Sequence, residues 1–567
     1  MKLASNKLLL AAAISAVLAG CDSGGITIAP ENNDNSVTNP GTGTPTTPSD
    51  NPCASYEKAG SVKQGEFDAE TGNCTYSAAF VDSGNPLTVD VVISKLDNGG
   101  AHIFEGSLFV GNNYDDDTTM AAAGIAEGGD GAKLTVQAGA TVAFPNSTKF
   151  MVINRGSQLN AVGTAQDPIT FTSLSDVEGT VGAEDVQQWG GMVINGFGIT
   201  NKCAYDAELK TSECHVLAEG AAGKDQSNYG GDNNDDSSGH LEYVRVKHTG
   251  AEVANGDELN GITFSSVGAG TIVKNLQVYS TYDDGIEMFG GAVSFENFLA
   301  MYVRDDSIDI DEGWSGSITN ALVIQSETDG NHCIESDGIG SYSTNTETDR
   351  ARNSALVDAG LNSRPKIDGL TCIISAQAEG THDPGAGWRF REGIFPMITN
   401  SMVVGSFAAD ESGADGNNYC LRVDSVETAA ALESGEAQIE GNIFACADKT
   451  KGEQIGGVDL LEWAEANGNV FAGVAADAAL NPTAAADTGL QLLEGPLSVF
   501  SIDTDSMVVG DEAIAISPVV GATDDSDDPV ARAYFGALSA GGTDWTVGWT
   551  YGLHEGSRAQ ALWFEQQ

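Results

Sequence analysis

Two short acidic segments carry the side chains best suited to chemistry: YDDGIEMFGG at 282–291 and RDDSIDIDEGWSG at 304–316. Each sets paired aspartates before a small residue and an alternating apolar pair. Asp284 and Glu287 recur 22 residues later as Asp306 and Asp309, and Glu335 follows Asp309 by 26 residues. Three explanations are open: catalytic carboxylates, a cage that binds a cation, or the repeating turn of a solenoid.

The elements that position these carboxylates follow the same spacing. Asn275, Asn297 and Asn320 each precede a similar apolar run, and they are 22 and 23 residues apart. Between such markers lie short alternating segments rich in Val, Ile and Phe, bounded by Gly, Asn, Asp or Ser, which is typical of strands. A repeat of this length predicts an all-β fold, a right-handed parallel β-helix in which each coil stacks on the last.

The recurring asparagines predict a ladder of side chains at one turn of this solenoid. Asparagine tolerates a left-handed backbone, and its amide can bond the equivalent amide one coil away. Asn400 and Asn442 precede comparable apolar runs. We therefore expect the same structural role for them.

Composition limits the partners. The 567 residues include 81 acidic and 26 basic side chains, for a formal net charge of −55. Such a surface repels phosphate backbones and attracts cations, so a nucleic acid partner is excluded and calcium is favoured.

The N-terminus has the pattern of a bacterial lipoprotein signal peptide. An apolar run at 8–18 leads into LAGC at 18–21. Cleavage after residue 20 would leave Cys21 acylated and held at a membrane. We expect the outer membrane, with the body at the cell surface or on the periplasmic side.

Changes in composition along the chain predict its domains. Residues 1–20 are the signal peptide and 21–52 a disordered, lipid-anchored tether rich in Asn, Thr, Pro and Gly. We expect an N-terminal cap clipped by a disulfide at 53–110, the parallel β-helix at 111–450, and the final coils with a C-terminal cap at 451–567. A short helix is predicted at 459–466 within the last region.

The remaining cysteines indicate an oxidising compartment. They form an even set that falls into neighbouring pairs along the sequence: Cys53 with Cys74, Cys203 with Cys214, Cys333 with Cys372, and Cys420 with Cys446. Neighbour pairing is one of 105 possible connectivities for eight cysteines. The spacings do not fit a zinc site.

Longer motifs resemble a known family. They include QWGGMVINGFG at 188–198, GGDNNDDSSGHLEYVRVKHTG at 230–250 and YFGALSAGGTDWTVGWTYG at 534–552. These segments resemble a widespread family of bacterial lipoproteins with a predicted parallel β-helix. The resemblance runs from about residue 103 to the C-terminus, and it implies a fold and a location without an agreed activity.

The cation hypothesis rests on Asp-rich turns that have Gly or Ser for close backbone approach, a combination that suits Ca²⁺. Stacked carboxylates about 4.8 Å apart repel each other, and a bound Ca²⁺ would offset this repulsion. The predicted metal ligands are Asp283, Asp284, Glu287, Asp305, Asp306, Asp309 and Asp311. Ca²⁺ is the only cofactor that we expect.

The enzyme hypothesis uses the same face. The segments DDGIE and DDSID faintly resemble the double-Asp segment of pectin-hydrolysing β-helix enzymes, although the Gly-His-Gly and Arg-x-Lys segments of those enzymes are missing. If the chain is a polysaccharide lyase or hydrolase, the predicted catalytic residues are Asp284, Asp306, Asp309, Glu335 and Arg389, with His332 and Arg391 nearby.

We favour a binding protein over an enzyme. The expected function is an exported, lipid-anchored β-helix, stabilised by calcium, that binds an extended ligand such as a polysaccharide, or an outer-membrane protein. The alternatives are carbohydrate cleavage and a structural stalk or adhesin without a small ligand.

Overall fold

The chain winds through short parallel strands that recur once per coil. The computed structural model describes residues 51–125, 129–203, 209–219, 227–254, 257–375, 385–405, 419–446, 448–474, 532–539 and 542–565, with a few residues between 502 and 521. Cys21, the predicted signal peptide and the tether up to residue 50 lie outside the described residues. No helix in the described ranges is long and apolar enough to span a membrane.

One parallel sheet, called here the short sheet, contributes one strand per coil, and its strands pair in chain order. Its strands within the described residues are Leu108–Val110, Met151–Ile153, Met192–Asn195, Ile262–Ser265, Ile286–Phe289, Ile308–Asp311, His332–Asp337, Ala386–Arg391, Tyr419–Val423 and Asp448–Gly452. Such parallel pairing of consecutive coils makes a β-helix. The predicted all-β parallel β-helix is therefore confirmed.

The other faces of the coil form the long sheet. Its described strands are Glu66–Phe67, Cys74–Tyr76, Val91–Ile93, His102–Phe104, Lys133–Gln137, Thr141–Phe144, Gln158–Val162, Ile169–Ser173, Gly239–Thr249, Ile272–Thr281, Ser294–Val303, Ser317–Ile324, Lys366–Ile374, Met397–Thr399, Met402–Gly405, Gln438–Glu440, Ile443–Ala445, Val470–Val474 and Ile502–Asp503. Two-stranded pairs lie outside both sheets: Ser55–Lys58 with Ser61–Gln64, Val216–Leu217 with Asn228–Tyr229, Glu252–Ala254 with Asp257–Glu258, and Val508–Val509 with Glu512–Ala513.

The core fills the inside of the coil with stacked identical or similar side chains. Ile262, Ile286 and Ile308 are register partners on consecutive strands, and all three are fully buried. Alternation along each strand sends every second residue inward, so the residue between two core positions faces outward. The acidic residues of the DDGIE and DDSID segments therefore sit beside a rigid apolar stack.

The predicted asparagine ladder is confirmed for its first three members. Asn275, Asn297 and Asn320 have left-handed φ values of 51°, 62° and 58°. The Asn297 amide donates to Asn275 Oδ1 at 3.0 Å, and the Asn320 amide donates to Asn297 Oδ1 at 3.1 Å. Each long strand bends at this residue, because the left-handed backbone turns the chain while the amide satisfies the next coil.

The next coil replaces asparagine with glycine, and an arginine from far along the chain takes over the ladder. Gly369 has φ +75°, and a Cβ there would lie 2.0 Å from a guanidinium nitrogen of Arg532. Arg532 bonds Asn320 Oδ1 on one side and Asp368 Oδ2, at 2.8 Å, on the other. Asn400 then donates to Asp368 Oδ1 at 2.7 Å.

Asn442 belongs to a separate pair. Its Oδ1 accepts the backbone N–H of Ser401 at 2.9 Å, and its amide donates to Asn469 Oδ1 at 3.0 Å. The predicted amide-to-amide bond between neighbouring coils is therefore confirmed at Asn442, with Asn469 as its partner. The recurring asparagines in the sequence indicated the turn, but not that Asn469 is the bonding partner of Asn442.

Helices are short and lie at the corners of the coil. They are α1 Asp117–Ala123, α2 Leu174–Val177, α3 Glu347–Asp358, α4 Val426–Ser434 and α5 Leu460–Ala466, with 3₁₀ turns at Asp97–Gly99 and Trp563–Glu565. Asp459 caps α5 through the N–H of Leu461, so the helix predicted at 459–466 is confirmed. Thr346 and Asp349 form a reciprocal capping box at the start of α3.

The described C-terminal residues lie along the side of the helix. Ala537 N–H donates to Thr371 at 2.9 Å, Tyr551 exchanges two hydrogen bonds with the Gln277 side chain, and Trp563 donates to Gln325 O at 3.0 Å. Phe535, Leu538, Leu553 and Phe564 cover the outward apolar residues of the long sheet, including Met301, Leu322 and Ile324. The sequence predicted a cap over the open end; residues 532–565 instead pack lengthwise, because the long sheet is apolar on its outer face too.

The disulfides in the described chain join neighbours in sequence. They are Cys53–Cys74, Cys203–Cys214, Cys333–Cys372 and Cys420–Cys446, the four pairs that the sequence analysis favoured. Cys53–Cys74 clips the first coil. Cys333–Cys372 crosses the core from the short sheet to the long sheet, next to His332.

Candidate functional site

In one outward-facing column of the short sheet, residues of the same chemical type follow one another from coil to coil. The register pairs join Phe109, Val152, Val193, Thr263, Glu287, Asp309, Glu335, Arg389, Arg422 and Lys451 in an unbroken line, one residue per coil. Three apolar residues and a threonine are followed by three carboxylates and then by three cations. Neighbours in such a column are separated by one strand spacing, about 4.8 Å. We call it the sorted column.

The apolar end of the sorted column is covered. Phe109, Val152 and Val193 pack with Tyr229 and Ala218, which belong to the segment after the Cys203–Cys214 loop. The Tyr229 hydroxyl and Thr200 each donate to the buried carboxylate of Glu312 at 2.7 Å. This covering segment ends beside the acidic stretch, where Glu219 lies close enough to Glu287 to raise its pKa.

A ladder of hydrogen bonds sets the turn beside the sorted column. The Oδ1 atom of Asn260 accepts the N–H of Asp284 at 3.2 Å, and Asp284 Oδ1 accepts the N–H of Asp306 at 3.0 Å. Asp306 Oδ1 accepts the N–H of His332 at 2.6 Å. Because each side chain reaches the next coil, the carboxylates of Asp284 and Asp306 are fixed in direction by the fold.

The turn and the sorted column bring carboxylates together. Asp284, Asp306 and Asp309 offer oxygen atoms within 4.8 Å of one another, and so do Asp283, Asp284 and Asp305. Asp284, Glu287 and Asp306 are 7%, 7% and 4% exposed. Among the described residues no lysine or arginine forms an ion pair with Asp284, Glu287 or Asp309. Like charges are thus collected in a largely buried place, where the Arg391 guanidinium opposes the rise in the pKa of Asp306 and Asp309 without cancelling it.

The pKa values reflect this crowding. Burial raises the pKa of Asp284 well above its ordinary value, and Asp283, Asp309 and Asp306 raise it further. Burial, together with Asp306 and Glu335, likewise raises the pKa of Asp309. Burial is the leading cause of the raised pKa of Asp283, Glu287, Asp306 and Asp311 as well, with nearby carboxylates adding to it.

The donor set fits a hard cation. The acidic groups supply only oxygen atoms, which Ca²⁺ binds at about 2.3–2.6 Å with six to eight ligands. A third set, Asp306, His332 and Glu335, includes a histidine. Both His332 ring nitrogens already have partners: Nδ1 bonds Asp306 at 2.9 Å and Nε2 bonds Tyr419 at 2.7 Å. This engagement disfavours His332 as a ligand and favours oxygen ligands alone.

The basic end of the sorted column is balanced by its own acids. Arg389 bonds Glu335 at 2.8 Å and Asp424 at 3.0 Å, and Asp424 also accepts from Arg422. Arg391, one pleat away, forms a two-pronged pair with Asp337 and reaches Glu335 at 2.7 Å. The arginines are therefore held in place, while the carboxylates of Glu287 and Asp309 form no ion pair with a lysine or arginine in the part of the chain that the structure describes.

Two neutral rings lie beside the junction of the acidic and basic ends. Burial is the main cause that lowers the pKa of His332 to about 4, so its imidazole is uncharged at neutral pH. Burial raises the pKa of Tyr419 to about 12. Asp306, His332 and Tyr419 thus form a chain of hydrogen bonds through two uncharged rings, and the Arg422 guanidinium lies 5.4 Å from the centre of the Tyr419 ring.

The predicted site residues lie together as the sequence spacing suggested. Asp283, Asp284, Glu287, Asp305, Asp306, Asp309 and Asp311 form one acidic cluster on adjoining coils, and Glu335 and Arg389 follow in the sorted column. The sequence analysis missed Asn260, Tyr419, Arg422 and Asp424. Asn260 could have been predicted from the sequence, because NGI at 260–262 has the same pattern as DGI at 284–286 and DSI at 306–308.

The comparison with known families agrees with this architecture. Residues 113–479 match the family model described as a pectate-lyase like beta helix domain. The chain belongs to this family. Membership in the pectate-lyase-like β-helix family accounts for the coil. The lipoprotein character implied by the sequence resemblance stays a prediction.

Two further comparisons add little. The crystal structure of the Dettilon tailspike protein aligns with a TM-score of 0.19 and 10% identity, covering 71% of this chain and 61% of the tailspike chain. At this TM-score the tailspike is no guide to activity. No curated protein sequence matches the chain.

Proposed function

We propose that this pectate-lyase-like β-helix binds an extended acidic polysaccharide through Ca²⁺ held on the outer face of the short sheet. The sorted column carries the proposal: Glu287, Asp309 and Glu335 are followed directly by Arg389 and Arg422. A long acidic ligand lying along this line would meet metal-bound carboxylates first and cationic side chains next.

Calcium is the cation that the acidic half favours. Two like charges one strand apart repel by roughly 1 kcal/mol in water and by several at an effective dielectric near 20. A divalent ion among Asp284, Asp306 and Asp309 would replace this repulsion with attraction. Because Ca²⁺ prefers more oxygens than three carboxylates supply, carboxylate and hydroxyl groups of a sugar would complete its shell.

Binding is favoured over hydrolysis by the distances. Glycosidases hold their two carboxyl groups about 5–5.5 Å or 6.5–9.5 Å apart. One oxygen of each of Asp284, Asp306 and Asp309 lies within 4.8 Å of the others, so three carboxylates converge on one point instead of two flanking a bond. This spacing suits a shared cation better than an acid and a nucleophile on opposite sides of a sugar bond.

Cleavage by elimination is the second candidate, and the family match favours it. Elimination next to a sugar carboxylate needs a cation to neutralise that group and a base to remove a proton. Arg389 is ion-paired with two carboxylates, and both ring nitrogens of His332 are engaged. Neither side chain is a ready base in this arrangement, so binding remains the main proposal.

The test is binding of polygalacturonate by the purified protein, measured by calorimetry in calcium and in chelator. We expect binding only with calcium, a large loss in Asp309→Asn, and no change in Glu296→Gln, whose carboxylate pairs with Lys274 on the long sheet. Dextran, a neutral polymer, should not bind. Equal binding in chelator would contradict the proposal.

The same samples separate the alternatives. Growth of ultraviolet absorbance from an unsaturated product would establish elimination, and new reducing ends without that absorbance would establish hydrolysis. Absence of binding to any acidic polysaccharide would favour a structural stalk or adhesin, or an outer-membrane protein as the partner.

We also propose that the protein is exported and anchored through a lipid on Cys21. The signal pattern at 1–21 and the disulfides, which form in oxidising compartments, support this location. Acylated Cys21 would hold the β-helix near the outer membrane on its tether. Metabolic labelling with a fatty acid should mark the wild-type chain and not Cys21→Ser; equal labelling would contradict the anchor.

A further inference from the structure

His332 and Tyr419 touch although they are two strands apart. His332 is the register partner of Ala386, and Trp388 pairs with Leu421, which sets Ala386 beside Tyr419. Over this alanine the Tyr419 hydroxyl lies 2.7 Å from His332 Nε2. Both rings are buried, with 5% and 2% exposure. Alanine at this register position places only a methyl group between the two residues, which leaves room for their rings to meet.

The donors and acceptors in the contacts Asp306–His332–Tyr419 follow from the chemistry of Asp306 and of the imidazole. The Asp306 carboxylate only accepts, and a neutral imidazole donates from one ring nitrogen and accepts at the other. Asp306 Oδ1 accepts from His332 Nδ1 at 2.9 Å and from its backbone N–H at 2.6 Å. The Tyr419 O–H therefore donates to Nε2 of His332, and the imidazole carries its proton on Nδ1.

This arrangement holds one carboxylate in place. Asp306 Oδ1 receives two bonds from His332, so the Asp306 carboxyl group cannot rotate without losing both. Asp306 shares its surroundings with Asp284 and Asp309, with oxygens of all three within 4.8 Å. The orientation of Asp306 thus depends on an imidazole whose own orientation depends on Tyr419.

We propose that His332 and Tyr419 are positioning residues for the cation site, which hold Asp306 in the orientation that binds calcium, and that Ala386 makes their contact possible. The inference rests on the proposed function, since it assigns Asp306 to a calcium site. Neither ring touches the cation. Each acts through Asp306, as outer-shell partners of metal ligands do.

The test compares calcium affinity of the purified full-length protein by calorimetry. Loss of an outer-shell partner typically weakens metal binding about 10–100-fold. We expect a fall in this range for Tyr419→Phe, which keeps the ring, and a similar fall for Ala386→Leu. Tyr342→Phe is the matched control, because its hydroxyl bonds Glu427 away from the cluster. If the wild-type protein binds calcium and Tyr419→Phe binds it equally well, the positioning role is overturned while the proposed function stands.

A second readout does not depend on calcium. In histidine-labelled, calcium-free protein, the ring nitrogen signals of His332, assigned with His332→Gln, should report the proton on Nδ1 and shift in Tyr419→Phe. A signal that Tyr419→Phe leaves unchanged would overturn the inference whatever calcium does. If the wild-type protein binds no calcium, the proposed function fails, and the positioning role fails with it even where the contact exists.

Discussion

At the scale of residues, the distinctive feature is a row of three carboxylates, two of which form no ion pair with a lysine or arginine of the described chain. Glu287 and Asp309 are register partners, and Asp309 is the partner of Glu335 in turn. Glu335 is paired with Arg389 and Arg391. A fold that retains such repulsion in a partly buried position loses stability unless protons or a cation neutralise it.

The first prediction concerns Asp309→Asn in chelator. Removing one charge from the cluster should raise the free energy of unfolding by roughly 1–3 kcal/mol at neutral pH, because the remaining carboxylates repel each other less. Urea unfolding measures the change. Glu296→Gln, an exposed pair with Lys274, should change stability by less than about 0.5 kcal/mol. Destabilisation by Asp309→Asn would show that its charge is already compensated.

The second prediction is the pH dependence of that effect. The folded pKa of Asp309 lies above its unfolded value of about 3.9, so above that pH the folded state holds more protons than the unfolded state. In chelator the free energy of unfolding should therefore decline as pH rises from about 4 toward 8. Asp309→Asn should show a shallower decline. Parallel curves for the two proteins would contradict the raised pKa.

Part of this site was predictable from sequence, and the limit has a physical cause. Asp284, Glu287, Asp306 and Asp309 follow the coil period, so counting residues places them together. Arg389 pairs with Glu335 across 54 residues, because α3 and the residues around it are inserted between the two strands. Register cannot be counted through such an insertion, and Tyr419 and Arg422 were missed for that reason.

At the scale of elements, the C-terminal segment completes the long sheet. Strands such as Ser294–Val303 alternate Phe298 and Ala300 inside with Leu299 and Met301 outside, so they are apolar on both faces. This two-sided pattern was the available signal for a lengthwise cover. The sequence analysis predicted an end cap because aromatic residues near a terminus do not by themselves indicate which surface they cover.

The third prediction concerns the arginine that continues the asparagine ladder. Arg532→Met should lower the free energy of unfolding by roughly 3 kcal/mol, because Asp368, 5% exposed, loses its partner. Limited proteolysis should also release the C-terminal segment sooner. Lys95→Met, which removes an exposed pair with Asp167, is the control and should be nearly neutral. Equal losses of stability in the two variants would contradict the prediction that Arg532 stabilises the fold through its buried contacts.

At the scale of the whole molecule, two of the four disulfides, Cys333–Cys372 and Cys420–Cys446, join the short sheet to the long sheet. Cys333–Cys372 closes a loop with a sequence separation of 39 residues beside the acidic cluster. Neighbour pairing was predictable because a coil returns the chain to the same place after about one repeat. The choice among connectivities still needed the fold, since spacing alone does not show which cysteines face the core.

The fourth prediction is the effect of removing this bridge. The double change Cys333→Ser with Cys372→Ser should lower the free energy of unfolding by about 4 kcal/mol, as expected for closure of a loop of this length. Denaturant unfolding under non-reducing conditions measures it. An unchanged midpoint, with the other bridges intact, would show that the coil stacking alone fixes this region.

The central claim is that the acidic half of the sorted column is a calcium site, and thermal unfolding in calcium and in chelator tests it most directly. Wild-type protein should melt at a clearly higher temperature in calcium, since a ligand that binds only the folded state stabilises it. Asp309→Asn should lose most of that gain, and Glu296→Gln should keep it. Identical wild-type midpoints in calcium and in chelator would contradict the account.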